Sequence, residues 1–589
     1  IRDYMSENGE IVCGAINEAD ESTFKFKDYF SHRESLKSIP GHRMLAILRG
    51  VSENALSVSL LIKGMEVEDE TSIFFQHWIR KYYNLPSGSD ELDKFCSRFV
   101  RLAWRAKLSL TIQSDILGRL KERSDSESIR VFADNLKDLL MAAPAGNKVT
   151  IGLDPGFKSG VKFAVLDGTG KLMDYGAIFP HPPQNQLLDS VSKIKSLIIK
   201  YSVVLVAIGN GTASRETDRM VSLVQDEIRG FAKIVVSEAG ASVYSASELA
   251  SNEFPDLDVS IRGAISIARR LQDPLAELVK IDPKAIGVGQ YQHDVCQLSL
   301  GRSLQNVVED CVNDVGVDLN TASAPLLSYV SGLSARLAEN IVKRREGQGV
   351  FESREQLKDV EGVGLKIYEQ CAGFLKINNG ANPLDSTIIH PECYSLVGSI
   401  QEISGLVLRD IVGSKVLIDS DDVQALADKG FSKMVVNSVI LQLAKPSHDP
   451  RPDFKAAEFK KGVEKIADLK LGMVLQGVVT NVANFGAFVD IGVHQDGLVH
   501  ISAMSSKFIS SPRDVVKAGD IVNVKVMSID EKQKRVALTM RLNDEVSAQL
   551  PQKAHQNKGR NFNKHSSSFE ASPLQGSAMA DAFRSARAG

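Results

Sequence analysis

The stretch Val149 to Thr169 constrains the fold of this chain more than any other. It reads Val-Thr-Ile-Gly-Leu-Asp-Pro-Gly-Phe-Lys-Ser-Gly-Val-Lys-Phe-Ala-Val-Leu-Asp-Gly-Thr. Two apolar runs, Val149 to Leu153 and Val161 to Leu166, are joined by Pro155, Gly156 and Gly160, which supply turn dihedrals. The pattern predicts a β-hairpin. Asp154 falls at the C-terminal tip of the first strand, where open α/β sheets place their chemistry. Val203 to Ile208 is an unbroken apolar run, as in a strand buried on both faces. It leads into Gly209-Asn210-Gly211-Thr212-Ala213-Ser214-Arg215-Glu216-Thr217. A further strand, Lys233 to Val236, leads into Ser237-Glu238-Ala239-Gly240.

The chain has 589 residues, too many for one core, and a prior of ~150 residues per domain suggests about four domains. Its net charge is −3, so a nucleic-acid partner must be argued from local patches and not from the total. The six cysteines are scattered, with no Cys-x-x-Cys pair. Buried free thiols in a reducing compartment are expected, not disulfides or zinc. No apolar run reaches the ~18 residues of a membrane span. The chain begins at Ile1 rather than Met, which leaves open a preceding segment and any targeting signal in it.

The strand–Asp–turn–strand opening resembles the RNase H-like fold, in the branch of the Holliday-junction resolvases and the YqgF family. With the strings at 209–217 and 237–245, Arg262-Gly263-Ala264-Ile265-Ser266-Ile267-Ala268-Arg269-Arg270 and Ile281 to Asp294, it is similar to the bacterial Tex family of transcription accessory proteins. The resemblance covers almost the whole chain up to a divergent tail. It implies a multidomain α+β protein. A helical N-terminal region would occupy residues 1–144, the family's helix-turn-helix start being absent or reduced to its tail. A YqgF/RNase H-like α/β domain would follow over 145–294 and a tandem helix-hairpin-helix domain over 295–380. A small helical linker domain (381–470), a β-barrel OB-fold of the S1 type (471–542) and a disordered tail (543–589) would complete the chain.

Active RNase H-like enzymes set three or four carboxylates around two Mg²⁺ ions. By resemblance Asp154 matches the first carboxylate and Glu238 a later one. Ser266 stands where the YqgF pattern has Asp, and Asn210 is an amide at a strand end. Ser is a poor Mg²⁺ ligand, and Arg269 and Arg270 add positive charge one turn on. Asp154 and Glu238 are therefore expected to be vestigial, with no metal, no cofactor and no enzymatic activity. The rival reading is a metal-dependent nuclease or resolvase acting on structured nucleic acid through these two acids. Gly287 and Gly289 resemble phosphate-loop glycines, but no Gly-Lys-Ser/Thr follows. His293 beside Asp294 is expected to be a satisfied structural histidine.

In the N-terminal region Leu92, Phe95, Phe99, Leu102, Ala103, Ala106 and Leu110 recur at helical spacing, predicting one helix over 90–120 and a second over 126–141. Arg101, Arg105, Lys107, Arg119, Lys121 and Arg123 decorate them. A solvated helix face is the simpler reading of these bases and a nucleic-acid contact the alternative. Gly41 to Gly50 resembles a Tex motif of unassigned chemistry, with His42 expected to cap or pack. Val360-Glu361-Gly362-Val363-Gly364-Leu365-Lys366 carries the helix-hairpin-helix pattern, whose glycines aim backbone N–H groups at phosphate. A first copy, Val330 to Arg336, keeps Gly332 and has Ser334 for the second glycine; Lys343, Arg344 and Arg345 follow. Gly332, Gly362, Gly364 and Lys366 are the backbone-binding candidates, a plain helical hairpin the alternative. Pro446 to Pro452 reads as a surface loop.

Five strand-like runs between Met473 and Met540 with glycine turns suggest a small barrel. Asn484-Phe485-Gly486-Ala487-Phe488-Val489 and Gly497-Leu498-Val499-His500-Ile501-Ser502 resemble the S1 type. That resemblance implies RNA-binding roles for Phe485, Phe488, His500, Asp530 and Arg535, with Lys534 able to share the role of Arg535. Exposed aromatics stack on bases; two Phe in the barrel core are the alternative. The chain is thus expected to be a cytoplasmic, sequence-nonspecific binder of RNA and single-stranded DNA that assists transcription. Its similarity in domain order to the eukaryotic elongation factor Spt-six implies a contact with RNA polymerase. A purely structural bridge between proteins remains a third reading.

Overall fold

The computed structural model describes residues 1–17, 21–86, 88, 90–289, 291–378, 380–413, 420–444, 449–454, 468–483, 485–493, 496–530 and 535–543. The expected disordered tail, Lys534 and part of the 446–452 loop lie outside the described residues.

The N-terminal region is not purely helical. Helix α1 (Arg2–Asn8) leads into β1 (Gly9–Ala15), which pairs antiparallel with β2 (Arg33–Ser35) and β3 (Leu56–Ile62). Helix α2 (Gly41–Ser52) lies between the last two strands in sequence. The strands are short and flanked by helices, so a helix-length window averages their two-residue period away. Next come α3 (Glu68–Tyr82), α4 (Glu91–Ala103), one π-helical turn (Trp104–Leu108) and α5 (Ser109–Leu140). The expected gap between two helices does not exist. Inside α5 the Ser124 hydroxyl donates to the Leu120 carbonyl at 2.7 Å and that of Ser126 to Glu122 at 2.9 Å. Bonded to the turn above, these serines sit in the helix and do not end it. The apolar stripe of α4 has the expected period, yet Phe95, Phe99 and Leu102 are each 63% exposed. Periodicity marks a stripe; it does not name a neighbour to cover it.

The next domain is a five-stranded sheet. It comprises β4 (Thr150–Asp154), β5 (Val161–Leu166), β6 (Leu172–Ile178), β7 (Leu205–Gly209) and β8 (Ala232–Val236) in the order β6-β5-β4-β7-β8. β4 is antiparallel to β5 and parallel to β7. Helices α6 (Leu187–Tyr201) and α7 (Ser214–Glu227) bury Ile194, Leu197 and Val221 against Ile151, Leu153 and Val206. After α8 (Ala241–Ser245) and α9 (Glu248–Glu253), helix α10 (Val259–Gln272) packs Ala264, Ile265 and Ala268 against Ala164 and Leu166. It lies on the sheet backbone: a Cβ on Gly152 would meet the Ala264 carbonyl and stand 2.9 Å from Ala268 Cβ. The order and directions are those of the RNase H-like fold.

Helix α11 (Pro274–Leu278) joins this domain to α12 (Gln297–Val315). Strand β9 (Val317–Asp318), helices α13 (Ala324–Leu327), α14 (Ala335–Gln348) and α15 (Leu365–Cys371), and β10 (Leu375–Lys376), parallel to β9, follow. Helices α16 (Tyr394–Ser404), α17 (Leu408–Ile411), α18 (Ser420–Asp428) and α19 (Lys433–Ala444) enclose a separate small core of Leu396, Val397, Ile400 and Val439. Strands β11 (Val474–Ala483), β12 (Gly486–Asp490), β13 (Gly497–His500), β14 (Ile521–Asp530) and β15 (Arg535–Thr539) close into a barrel ordered β11-β12-β13-β15-β14.

Two buried arginines tie these parts together. Arg451, in the stretch expected to be a surface loop, pairs with Asp273 at 2.7 Å and Asp449 at 2.8 Å and is 6% exposed. Arg354 is 1% exposed. It donates to the Leu375 and Ile389 carbonyls at 2.7 Å each, to that of Thr387 and to the Tyr394 hydroxyl at 2.8 Å. Tyr394 in turn donates to Asp385 at 2.6 Å. Arg354→Leu leaves three buried carbonyls without their donor, each worth about 1–3 kcal/mol. Urea unfolding should show a loss of about 3–5 kcal/mol, against under 1 kcal/mol for exposed Arg336→Leu.

Candidate nucleic-acid interface

Three regions carry the sequence-predicted residues, and the fold treats each differently. The first is the acid pair of the RNase H-like sheet. Asp154 ends β4, and a Cβ on Gly263 of α10 would lie 2.6 Å from its Oδ2, so the helix closes directly over the carboxyl. Burial, then the nearby Glu238 charge, push the Asp154 carboxyl up to about 6, against a smaller opposing pull from Lys162. Glu238 stands over Gly209, 2.7 Å from where its Cβ would be, and over Gly211. Its backbone N–H donates to Asn210 Oδ1 at 3.0 Å, so the amide at the strand end is spent on the loop. Ser266 is fully buried and its hydroxyl finds no partner.

The two arginines do not sit free beside the acids. Arg269 pairs with Glu253 and donates to the Gly170 carbonyl at 3.1 Å. Arg270 donates to the Ser237 and Ala239 carbonyls at 2.9 and 2.7 Å, holding the loop that carries Glu238. Among the described residues no group of three or more His, Cys, Asp or Glu side chains is arranged to hold a metal ion. Two acids, a buried hydroxyl and a guanidinium on the loop backbone do not fit the Mg²⁺ pair of the fold's nucleases.

The second region is the hairpin pair. Gly332 and Gly362 have φ of +87° and +90°, the left-handed region that glycine adopts without strain. They face one another across the pair: a Cβ on Gly332 would stand 2.8 Å from Gln370 of α15, and one on Gly362 2.9 Å from Leu337 of α14. Both hairpins expose five of the six residues from the position before the glycine onward and bury the third, Leu333 or Val363. The hairpin with one glycine thus has the same form as the one with two. They differ at the cap. The Ser334 side chain accepts from Leu337 N–H, whereas Gly364 leaves α15 without a side-chain cap. Lys366 and Arg336 occupy equivalent exposed positions. Of the three bases after the first hairpin, Arg345 is spent on the Leu319 and Ala322 carbonyls and Arg344 lies over the Phe351 ring. Lys343 alone of the three is exposed.

The third region is the barrel surface. The barrel core is built from Leu475, Val479, Val482, Ala487, Val489, Val499 and Val524 among others, and neither phenylalanine belongs to it. Phe485 and Phe488 are half-buried, 6.1 Å apart and edge-to-face at 89°. His500 lies opposite Gly486 in the β12–β13 pair and is exposed, its Nδ1 accepting from Ser502 N–H at 3.3 Å. Asp530 and Arg535 are partners at the β14–β15 turn; their side chains lie outside the described residues. The parallel β13–β15 register, Leu498 opposite Ala537, sets the Arg535 backbone at the other end of that pair from His500. The two phenylalanines and His500 come together, and Arg535 stands apart.

Sequence reasoning missed how the barrel is held. Arg513 reaches α5, pairing with Asp138 at 2.6 Å and bonding Asn135. Asn135 donates in turn to the Val288 carbonyl at 2.8 Å and to Asn481 of β11 at 2.9 Å. Asn135 falls among apolar helix positions, and that polar residue on a core face was the available signal. Gly289 packs on the Phe132 ring, so the 281–294 string is a docking segment. His293 is exposed, contrary to expectation, while Asp294 pairs with Arg49 at 3.5 Å. Lys121 and Arg123, candidates for a basic face, are spent on Asp125 and on the Ile39 carbonyl, both at 2.7 Å. His42 is not the helix cap, which is Pro40; its ring lies 6.1 Å from that of Phe485. All six cysteines are free, and Cys296 is exposed where a buried thiol was expected.

An RNase H-like sheet with an acid pair at its strand ends, paired hairpins and a five-stranded barrel define a multidomain protein of the nucleic-acid-binding class. Family models match each part: Tex central region-like at 1–132, Tex protein YqgF-like domain at 148–272, helix-hairpin-helix motif at 312–376 and S1 RNA binding domain at 468–541. A further HHH domain model matches 382–451, within the stretch expected to be a small helical linker domain. Over 590 residues the chain is 49% identical to the transcriptional accessory protein Tex of Neisseria gonorrhoeae, covering 99% of this chain and 76% of that protein. It is 49% identical to protein YhgF of Escherichia coli over 100% of this chain and 76% of the other. It is 34% identical to the human S1 RNA-binding domain-containing protein 1 over 91% and 60%. The chain belongs to the Tex family. Among the described residues no helix is long and apolar enough to cross a membrane.

The acid pair yields a pH prediction. The folded pKa of Asp154, about 6, exceeds the ~4 of an unfolded Asp. The folded state therefore binds the proton more tightly, and Asp154 removes stability as pH rises from about 4 through about 6. Asp154→Asn should stabilise the protein by about 1–3 kcal/mol at pH 8, with a smaller gain at pH 5, measured by urea unfolding at both.

Proposed function

We propose that this Tex-family protein binds RNA and single-stranded DNA without sequence preference and assists transcription from the cytoplasm, in contact with RNA polymerase. Its working units are those expected from the sequence, with boundaries near residues 144, 294, 380, 470 and 542. The observation that carries the reading is the pair of phenylalanine rings kept out of the barrel core, flanking in sequence the glycine that pairs with exposed His500. Half-exposed rings offer a π face to any base, so stacking is sequence-tolerant. Phe485, Phe488 and His500 form the base-stacking part, and Asp530 and Arg535 a polar part at the other end of the β13–β15 pair, reached by a strand that runs along the barrel. Gly332, Gly362, Gly364 and Lys366 supply backbone contacts from the hairpins. The RNase H-like domain is a scaffold and not a nuclease, a reading supported by the buried Ser266 and by Arg270 on the Glu238 loop.

Two measurements test this. In fluorescence anisotropy with single-stranded RNA, single-stranded DNA and duplex at several salt concentrations, Phe485→Ala with Phe488→Ala should weaken single-strand binding about tenfold or more with little change in salt slope. Gly364→Val meets open space at a φ of −87°, so it keeps the fold and should weaken binding equally for all sequences. Gly362 is not a clean probe, since its positive φ strains any side chain. In the same assays no strand should be cut with Mg²⁺ or Mn²⁺. Metal-dependent cleavage that disappears in Asp154→Ala would reverse the scaffold reading. A double Phe variant that binds like the parent would move the site off the barrel.

A further inference from the structure

Helix α2 opens with Gly41-His42-Arg43, part of the ten-residue string to which the proposed function gives no role. Its buried residues are Gly41, Met44, Leu45, Ala46, Ile47 and Gly50, which explains the string's apolar positions by packing. His42 is left over. It is exposed at the start of the helix, and packing of α2 does not require it.

What lies in front of His42 is the aromatic face of the barrel. Its ring centroid is 6.1 Å from that of Phe485 at a tilt of 54°, and Phe485 is 6.1 Å from Phe488 at 89°. Three rings thus form a chain, within the ~4.5–7 Å range of interacting aromatics. The rings of His42 and Phe485 are tilted and not stacked, so neither masks a whole face of the other. The juxtaposition is anchored on both sides by one helix. Arg513 and Asn481 fix the barrel to Asp138 and Asn135 of α5. Arg123 of the same α5 holds the Ile39 carbonyl at 2.7 Å, three residues before His42, and Glu127 lies beside Gly41. The position of His42 against Phe485 is therefore built into the domain packing.

The chemistry of His42 suits a base and not a phosphate. Desolvation, then the neighbouring Arg43 charge, hold its imidazolium below the usual histidine range, with Glu34 opposing weakly. Arg43 itself is engaged with Glu34 at 3.0 Å. His42 thus presents a flat ring, its charged form disfavoured, at the end of an aromatic row.

We propose that His42 is a third stacking element of the single-strand surface, extending the Phe485–Phe488 row from the barrel onto the N-terminal region, so that one nucleobase of the bound strand rests on the His42 ring. The inference rests on the proposed role of the barrel face. It makes the single-strand site a joint property of two domains that are more than 400 residues apart in sequence, and gives the 41–50 string a function at its exposed end.

The test uses the full chain and fluorescein-labelled oligouridylate and oligothymidylate. His42→Ala should weaken binding about five- to tenfold, from the ~1–3 kcal/mol per stacked base. His42→Phe should restore it, and the salt slope should stay unchanged, since no counterion is released by an uncharged ring. Photo-crosslinking of a 4-thiouridine strand to the parent should label the peptide containing residue 42. Binding of His42→Ala equal to the parent, or absence of that crosslink, overturns the inference. Tighter binding also overturns it, because His42 would then cover the face. A loss that His42→Phe fails to restore makes the residue a spacer and likewise overturns it. In each case weakened binding by the Phe485→Ala, Phe488→Ala variant shows that the barrel reading survives. If that variant also binds like the parent, the barrel reading falls with it.

Discussion

The architecture depends on one helix serving two hydrophobic cores. α5 has 32 residues and is about 48 Å long at 1.5 Å per residue. Its first half contributes Ile112, Ile116 and Leu120 to the core of the N-terminal region. Its second half contributes Ile129, Phe132, Leu136 and Leu140 to the core built around α12 and the hairpins. A rigid rod buried at both ends fixes the distance and angle between those cores. At its far end buried Asn135 and neighbouring Asp138 take the barrel through Arg513. Asn135 uses both amide hydrogens and its oxygen in this contact, so a buried polar group is satisfied in one docked arrangement of the barrel.

The RNase H-like sheet shows how small residues and electrostatics bear on one site. Gly152 and Ala268 let α10 approach the strand backbone, and that approach buries Asp154 under Gly263. Burial beside Glu238 makes the Asp154 charge unfavourable. In a metal enzyme of this fold a divalent ion offsets such repulsion. Here the position one turn along α10 is the neutral, buried Ser266, and Arg270 is committed to the loop carbonyls.

In the proposed function the hairpins and the barrel divide recognition by chemistry. Backbone N–H groups and a lysine at a hairpin would read phosphate, which carries no sequence information. The barrel's rings would read the presence of an unpaired base. The barrel's rings stand beside α2 because α5 carries both, and this brings a residue of the N-terminal region to the face formed by β12 and β13.

By itself the sequence determined the strand tips, the turns and the barrel. Glycine and proline at 155, 156 and 160, the apolar runs and the Phe-Gly-Ala-Phe string are local signals, and backbone dihedrals and two-residue alternation are local physics. The exclusion of Phe488 from the core also follows from alternation, since Ala487 and Val489 take the inward positions; that of Phe485, which precedes β12 and shares their parity, does not. The short sheet β1–β3 was hidden because its ladder partners are separated by long stretches of chain, and a window sees one strand at a time. The continuity of α5 through Ser124 and Ser126 was hidden because propensity cannot register a hydroxyl bonded to the turn above. The exposed α4 stripe, the commitment of Arg344, Arg345 and Arg451, and the meeting of His42 with Phe485 were decided by tertiary structure alone. Each depends on which surface another element brings up, and that is set by the shared burial of α5 in two cores, an interaction that residue spacing does not encode.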